Sequence, residues 1–143
     1  MSVLAHAPQG AFARVAAHAL ASHRFETLRA PEVGLAMVRA RADATGARFN
    51  LGEATIARCA LRFAGPDGAD TIGIGYRLGR DLGRVRQMAA LDALLQHSAH
   101  QADLLRSVIE PLAAAIDAER QQAQRQAAAT RVQFFTMQPE VAR

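Results

Sequence analysis

The sequence predicts an α+β domain with an antiparallel sheet of three to four strands, flanking helices and an extended C-terminal helical arm. Three observations lead there. Apolar residues recur at helical spacing towards both ends of the chain, and three segments between them alternate with period two. Short, turn-rich links join those segments, which favours an antiparallel meander with one face covered over a parallel nucleotide-binding sheet.

Residues 2–23 read as helix in two pieces, with Ser2 as N-cap and Pro8 where a first helical position tolerates proline. Phe12, Val15, Ala16 and Leu20 then share one face. From Glu26 to Ala40 the period falls to two: Leu35, Met37 and Arg39 lie on one side, Ala36, Val38 and Ala40 on the other, and Pro31-Glu32 bends the chain into the strand. Residues 43–48 have turn chemistry. Thr55 to Phe63 alternates again, setting Ala57, Cys59, Leu61 and Phe63 against Ile56, Arg58, Ala60 and Arg62. Gly65-Pro66-Asp67-Gly68 forces a turn, and Thr71 to Leu78 forms the third extended segment.

Asp81 is the N-cap of a helix running to about His97, whose buried stripe comes from Val85, Met88, Ala89, Leu91 and Leu95. A second helical region starts near Asp103, carries Leu104, Leu105, Val108, Ile109, Leu112 and Ile116, and is kinked or broken at Pro111. Residues 117–131, rich in Ala, Gln and Arg, favour helix but offer almost no large apolar side chain, so they form either a solvated arm or a helix clasped by another chain. Val132, Phe134, Phe135 and Met137 follow as an apolar end. Residues 1–143 thus read as a single domain, with 117–143 as a partner-docking arm.

A chain of 143 residues suits one core. Half of it is hydrophobic, but alanine supplies most of the excess, 5% is aromatic and Trp is absent, so a partner is expected to contribute to stability. All 17 basic residues are arginine, giving a net charge of +4. Arginine suits bidentate contact with carboxylate or phosphate, yet Ala and Arg enrichment without lysine is also what GC-rich coding produces. Charge alone assigns no nucleic acid. Cys59 is the sole cysteine, which excludes an internal disulfide and any Cys-based zinc motif and fits a reducing, cytoplasmic setting. No apolar run is long enough for a membrane helix.

Gly73, Gly75 and Gly79 are spaced Gly-x-Gly-x-x-x-Gly, with Leu78 where a dinucleotide fingerprint needs its third glycine. Gly79-Arg80-Asp81 opening a helix after a strand could hold an anion on backbone N–H groups, with Arg77, Arg80 and Arg84 nearby; the simpler reading is that Asp81 caps the helix and already supplies the negative charge. His97 and His100 lack a carboxylate or cysteine to complete a metal set, and read as solvated or helix-terminal histidines. Glu53, beside Asn50, Arg48 and Arg58, is the best-placed acid, and reads as a salt-bridge partner before a general base. Cys59 falls on an apolar strand face as a packed thiol. No nucleophile, base and oxyanion set can be assembled, and no metal or bound cofactor is expected of this chain.

Particular strings carry more. Leu28-Arg29-Ala30-Pro31-Glu32-Val33-Gly34-Leu35 and Phe49-Asn50-Leu51-Gly52-Glu53-Ala54-Thr55-Ile56-Ala57-Arg58 resemble the first two blocks of the PhnG family of phosphonate metabolism proteins. Gly79-Arg80-Asp81 with Ala89-Ala90-Leu91-Asp92-Ala93-Leu94-Leu95-Gln96 resembles the third. Pro111-Leu112 and Ala129-Thr130-Arg131-Val132-Gln133-Phe134-Phe135-Thr136-Met137 resemble the last two, in order. The chain departs at Leu82 and Gly83, where the family has basic, helix-favouring residues, and after Met137. The resemblance implies an accessory subunit of the carbon-phosphorus lyase core, with PhnH, PhnI and PhnJ as partners and PhnK or PhnL as further ones. It implies support for exchange of adenine of ATP for alkylphosphonate, the displacement itself residing in PhnI. ATP would be a substrate of the complex rather than a cofactor of this chain.

The contact candidates that follow are Arg48, Asn50, Glu53, Arg58, Arg77, Arg80, Asp81, Arg131, Phe134 and Phe135, for a protein interface or an anion; a homodimer is compatible with them. Two other readings stay open. An arginine-bearing strand face, Arg58 and Arg62 with Arg77, would make a nucleic-acid or anion-binding module, although it lacks interleaved aromatics. A stand-alone enzyme would centre on Glu53.

Overall fold

The computed structural model describes residues 1–43, 45–65 and 68–131. Two N-terminal helices, α1 (Ser2–His6) and α2 (Gln9–Leu20), precede strands β1 (Glu26–Arg41), β2 (Arg48–Ala64) and β3 (Asp70–Leu78). Helix α3 (Leu82–Gln96) follows, then α4 (Ser98–Leu104), a π-helical segment (Leu105–Ile109) and α5 (Glu110–Ala129). The sheet has the order β1-β2-β3 with both pairings antiparallel, as the period-two segments and their short links predict. No helix of the described residues is long and apolar enough to cross a membrane.

Period-two alternation on β2 puts Ala57, Cys59, Leu61 and Phe63 into the core. Helix α3 covers that face. Its Val85, Ala89 and Ala90 pack on the sheet, while Met88, Leu91 and Leu94 turn the other way, to Phe12, Leu104, Val108 and Leu112 of the flanking helices. The predicted stripe on α3 is therefore too narrow: the helix is a middle layer, buried on two sides.

Gly73 and Gly75 explain how closely α3 lies on β3. A Cβ on Gly75 would meet the carbonyl of Val85, 2.9 Å from its carbon and closer still to its oxygen, and one on Gly73 would sit 2.8 Å from the Ala93 Cβ. These glycines serve helix-on-strand packing, which accounts for their presence without a nucleotide fingerprint.

Several boundaries differ from the sequence reading. Met1, not Ser2, stands at the N-cap of α1, Pro8 is the N-cap of α2 rather than its first helical residue, and α2 ends at Leu20. β2 begins at Arg48 instead of Thr55, because residues 48–54 pair with the end of β1. The helix expected near Asp103 begins at Ser98, where the His97 ring accepts the Ala99 N–H at 3.4 Å. Pro111 occupies the first turn of α5, directly after the π segment that interrupts the α-helical run, where the Glu110 N–H reaches Leu105 O. One wider turn accommodates a residue that has no N–H for the carbonyl four positions back. Pro31 lies inside the irregularity between Arg29 and Glu32 on edge strand β1, where no ladder donor is needed.

Candidate functional site

The eight candidate residues that the structure describes do not converge on one site. Arg48, Asn50 and Glu53 lie exposed on the far part of β2. Arg58, Arg77, Arg80 and Asp81 lie nearer the core. Arg131 is exposed just past α5. Phe134 and Phe135 fall outside the described residues.

Glu53 is paired in register with Met37, and among the described residues it makes no ion pair with Arg48 or Arg58. Arg58 instead donates from Nε to Glu32 Oε1 at 2.6 Å, and Glu32 also meets Arg29 at 2.9 Å. Those two guanidiniums, Arg58 first, hold the Glu32 carboxyl below its ordinary value. Further along the same face Arg62 donates to Glu26, with Asp70 at 3.5 Å. Arg77 lies on the opposite face: the register sets Arg58 against Tyr76, and one residue further turns Arg77 towards the helices. There Arg77 Nη1 lies 3.9 Å from Asp81 Oδ2. The arginine surface imagined for nucleic acid is thus divided between two faces, and its outer half is neutralised by carboxylates.

At the β3–α3 junction the capping reading holds. Asp81 accepts the Arg84 N–H at 2.9 Å and so fills the helix N-terminus itself. Gly79, at φ +104°, makes the turn before it, and its N–H bonds Thr55 O at 2.9 Å. Arg80 projects outwards, exposed.

Arg84 does something that the sequence did not announce. It is 3% exposed, donates through Nη2 to Leu4 O and Ala7 O at 2.9 and 2.6 Å, reaches Gln9 through Nη1, and stacks 4.4 Å over the Phe12 ring. Burial, then the nearby Arg77, lowers its pKa, with Asp81 acting against them. It satisfies carbonyls at the end of α1 and pins the N-terminal helices to α3. An arginine at that spacing reads equally well as an anion ligand.

Phe63 gathers rings around it, with His23, His97, His100 and Phe25 at centroid distances of 5.7 to 5.9 Å. His23 meets His100 edge-on at 4.8 Å. His97 is buried as well as helix-terminal, so the solvated alternative does not hold for it. Burial first, then His23 and His97, pulls the His100 pKa down. His23 and His100 line a groove of about 710 Å³ between α2 and the α4–α5 run, floored by Leu104, Val108 and Leu112. No three His, Cys, Asp or Glu residues among those described are arranged to hold a metal. Cys59, 1% exposed, donates to Arg29 O at 3.4 Å, and burial pushes its thiol pKa up, as expected of a packed cysteine.

Large apolar side chains are nonetheless exposed in quantity. Ile72, Ile74, Tyr76 and Leu78 line the outer side of β3, and Leu35, Met37, Phe49 and Leu51 stand out from the far ends of β1 and β2. What this arrangement can do is present surface.

Comparison with known proteins gives that surface a context. The family model described as phosphonate metabolism protein PhnG matches residues 1–139. A curated relative from Rhizobium meliloti (strain 1021), alpha-D-ribose 1-methylphosphonate 5-triphosphate synthase subunit PhnG, is 44% identical over 110 residues, spanning 77% of this chain and 67% of the relative. With a match over nearly its full length and a relative at this identity, the chain belongs to the PhnG family of phosphonate metabolism proteins.

Proposed function

We propose that this chain is an accessory subunit of an α-D-ribose 1-methylphosphonate 5-triphosphate synthase, acting in phosphonate catabolism by docking onto and ordering a partner that carries the chemistry. One observation supports the docking role above the rest. The chain exposes 10196 Å², whereas a compact monomer of its mass exposes about 7,100 Å². The excess of about 3,000 Å² on one chain is enough to supply one side of an obligate interface, which takes roughly 1,000–2,500 Å² from each partner. Beyond Ile116 every described residue of α5 is exposed, which suits residues 117–143 as a docking arm. The partners proposed are PhnH, PhnI and PhnJ, with PhnI performing the displacement of adenine from ATP. The effect of this chain on rate is then indirect, through the geometry of a partner's site.

Co-expression with PhnH, PhnI and PhnJ followed by co-purification at moderate salt tests the proposal, together with an assay of adenine release with and without this subunit. A stable complex whose adenine release depends on the chain is the expected result. Failure to associate with folded partners, or release at an unchanged rate without it, overturns the reading. The stand-alone enzyme reading predicts instead that Glu53→Gln abolishes turnover in an intact complex; the exposed position of Glu53 on β2, away from any lined pocket among the described residues, does not favour it.

A further inference from the structure

Beyond the end of β3 the sheet is only two strands wide. Leu78 pairs with Ile56, and past that point β1 and β2 continue alone, from Leu35 opposite Thr55 to Arg41 opposite Arg48. A two-stranded ribbon is marginal by itself in water. This one exposes large apolar side chains on both faces: Leu35 (62% exposed) and Met37 (52%) point to the side that α3 covers elsewhere, where Thr55 and Glu53 stand opposite them, and Val38 (37%) and Phe49 (46%) to the other. Leu51, 64% exposed, stands at an irregularity between Val38 and Arg39, beside Gly52 at φ +155°. That bulge spoils the edge as a straight template for another strand, leaving the faces as the surfaces to be covered.

Charge specifies what covers them. Arg39, Arg41 and Arg48 crowd the tip, and Arg41 stands directly opposite Arg48, an arrangement that disfavours a ribbon in water. The string Phe49 to Thr55, part of the second PhnG-like block, lies on this ribbon, and no catalytic role absorbs it.

We infer that the β1–β2 ribbon is an insertion arm, gripped on both faces by an apolar-walled cleft of another protein subunit whose acidic residues meet Arg39 and Arg48. This deepens the subunit reading and rests on it. A second copy is the poorer occupant, because it brings a chain of the same +4 charge to an arginine-rich tip. Nucleic acid is poorer still, since aliphatic side chains project from both faces and Phe49 is the ribbon's lone aromatic.

The test uses the full chain co-expressed with PhnH, PhnI and PhnJ, comparing wild type with Leu35→Ser/Met37→Ser and with Arg39→Glu/Arg48→Glu. Circular dichroism checks that each variant is folded. Each pair is expected to cut partner retention by about tenfold or more, as loss of central interface residues does. Backbone amide exchange in 35–41 and 48–55 of the wild type is expected to be fast in the isolated chain and strongly slowed in the complex; this arm decides alone where a variant does not fold. Folded variants that co-purify like wild type, with ribbon amides equally fast free and bound, overturn the inference and leave the subunit reading standing. Wild type that binds no partner removes both. An isolated chain that sediments as a dimer, and becomes monomeric in the Leu35→Ser/Met37→Ser variant, makes the occupant a second copy and also overturns the inference.

Discussion

Gly75→Ala tests the packing of α3 on the sheet most directly. The added methyl would sit 2.9 Å from Val85 C and 3.0 Å from Ala89 N, and closer to Val85 O. All are backbone atoms of a helix, so no side chain can rotate away. Ordinary carbon contacts need about 3.5–4.0 Å, so α3 must retreat from β3 by roughly 1 Å. A gap of about 0.5–1 Å forfeits a quarter to a half of each dispersion contact across it. Val85, Ala89 and Ala90 all lie on that interface. Strain from inserted methylenes costs about 1–3 kcal/mol in well-packed cores, and the lost contacts place this substitution at the upper end, about 3 kcal/mol. For a chain of this size that lowers Tm by roughly 10 °C. Thermal and urea unfolding followed by circular dichroism measure it, with Gly34→Ala as control, because a Cβ there meets nothing nearer than Arg58 Nη2 at 3.8 Å. A Gly75→Ala protein that melts within about 2 °C of wild type would refute the close-approach argument.

Three further outcomes are expected. Arg84→Met keeps the stem but strands the carbonyls of Leu4 and Ala7, so it should cost about 2–4 kcal/mol and speed amide exchange in α1 and α2; an unchanged urea midpoint would oppose the clamp role. The depressed pKa of His100 means that the unfolded chain binds more protons once pH falls below its ordinary 6.5, so stability should decline from there towards the folded-state value. Urea midpoints between about pH 7.5 and pH 5.5 read this window, above the range where Glu32 protonates, and a flat series counts against it. Cys59 should resist a thiol reagent in the folded chain and react about 100-fold faster or more in denaturant; comparable rates would mean that its strand face is not closed.

The elements that local pattern can specify were legible. Alternation from Thr55 to Phe63 and the Asp81 cap gave β2's buried half and α3 to within a residue or so at the helix start. What failed depended on pairing partners far along the chain. The first half of β2 was missed because the bulge beside Gly52 shifts the alternation, so a period-two reading cannot run through it. Arg77 was grouped with Arg58 and Arg62 because the side it faces follows from the β2–β3 register, which spacing within one segment does not reveal. Arg84 reads in the sequence only as a cation near the Asp81 cap, because its carbonyl partners lie some 77 to 80 positions away. Of the charged candidates, Arg58, Arg77 and Asp81 stand in structural ion pairs; the exposed apolar residues of the ribbon carry another signal, but Leu35 and Met37 read simply as strand, and Phe49 and Leu51 fall outside any element that period two can find.

The treatment of the sheet's edges also separates covered from uncovered surface. On β3, Asp92 of α3 accepts the Ile74 N–H at 3.0 Å, and Gln96 donates to Ile72 O at 2.9 Å. Side chains of α3 thus occupy backbone groups that an incoming strand would need, and β3 is closed to strand addition over that stretch. This defence works only within reach of α3, which lies against β3 and the adjoining half of β2. The ribbon runs past it, so the same device cannot serve there; a bulge and an arginine-rich tip stand in its place, and its apolar faces stay open. A chain that guards one edge with two specific hydrogen bonds and leaves Leu35, Met37 and Phe49 uncovered is arranged for face contact at the ribbon, where another chain would gain buried apolar area with little new backbone pairing.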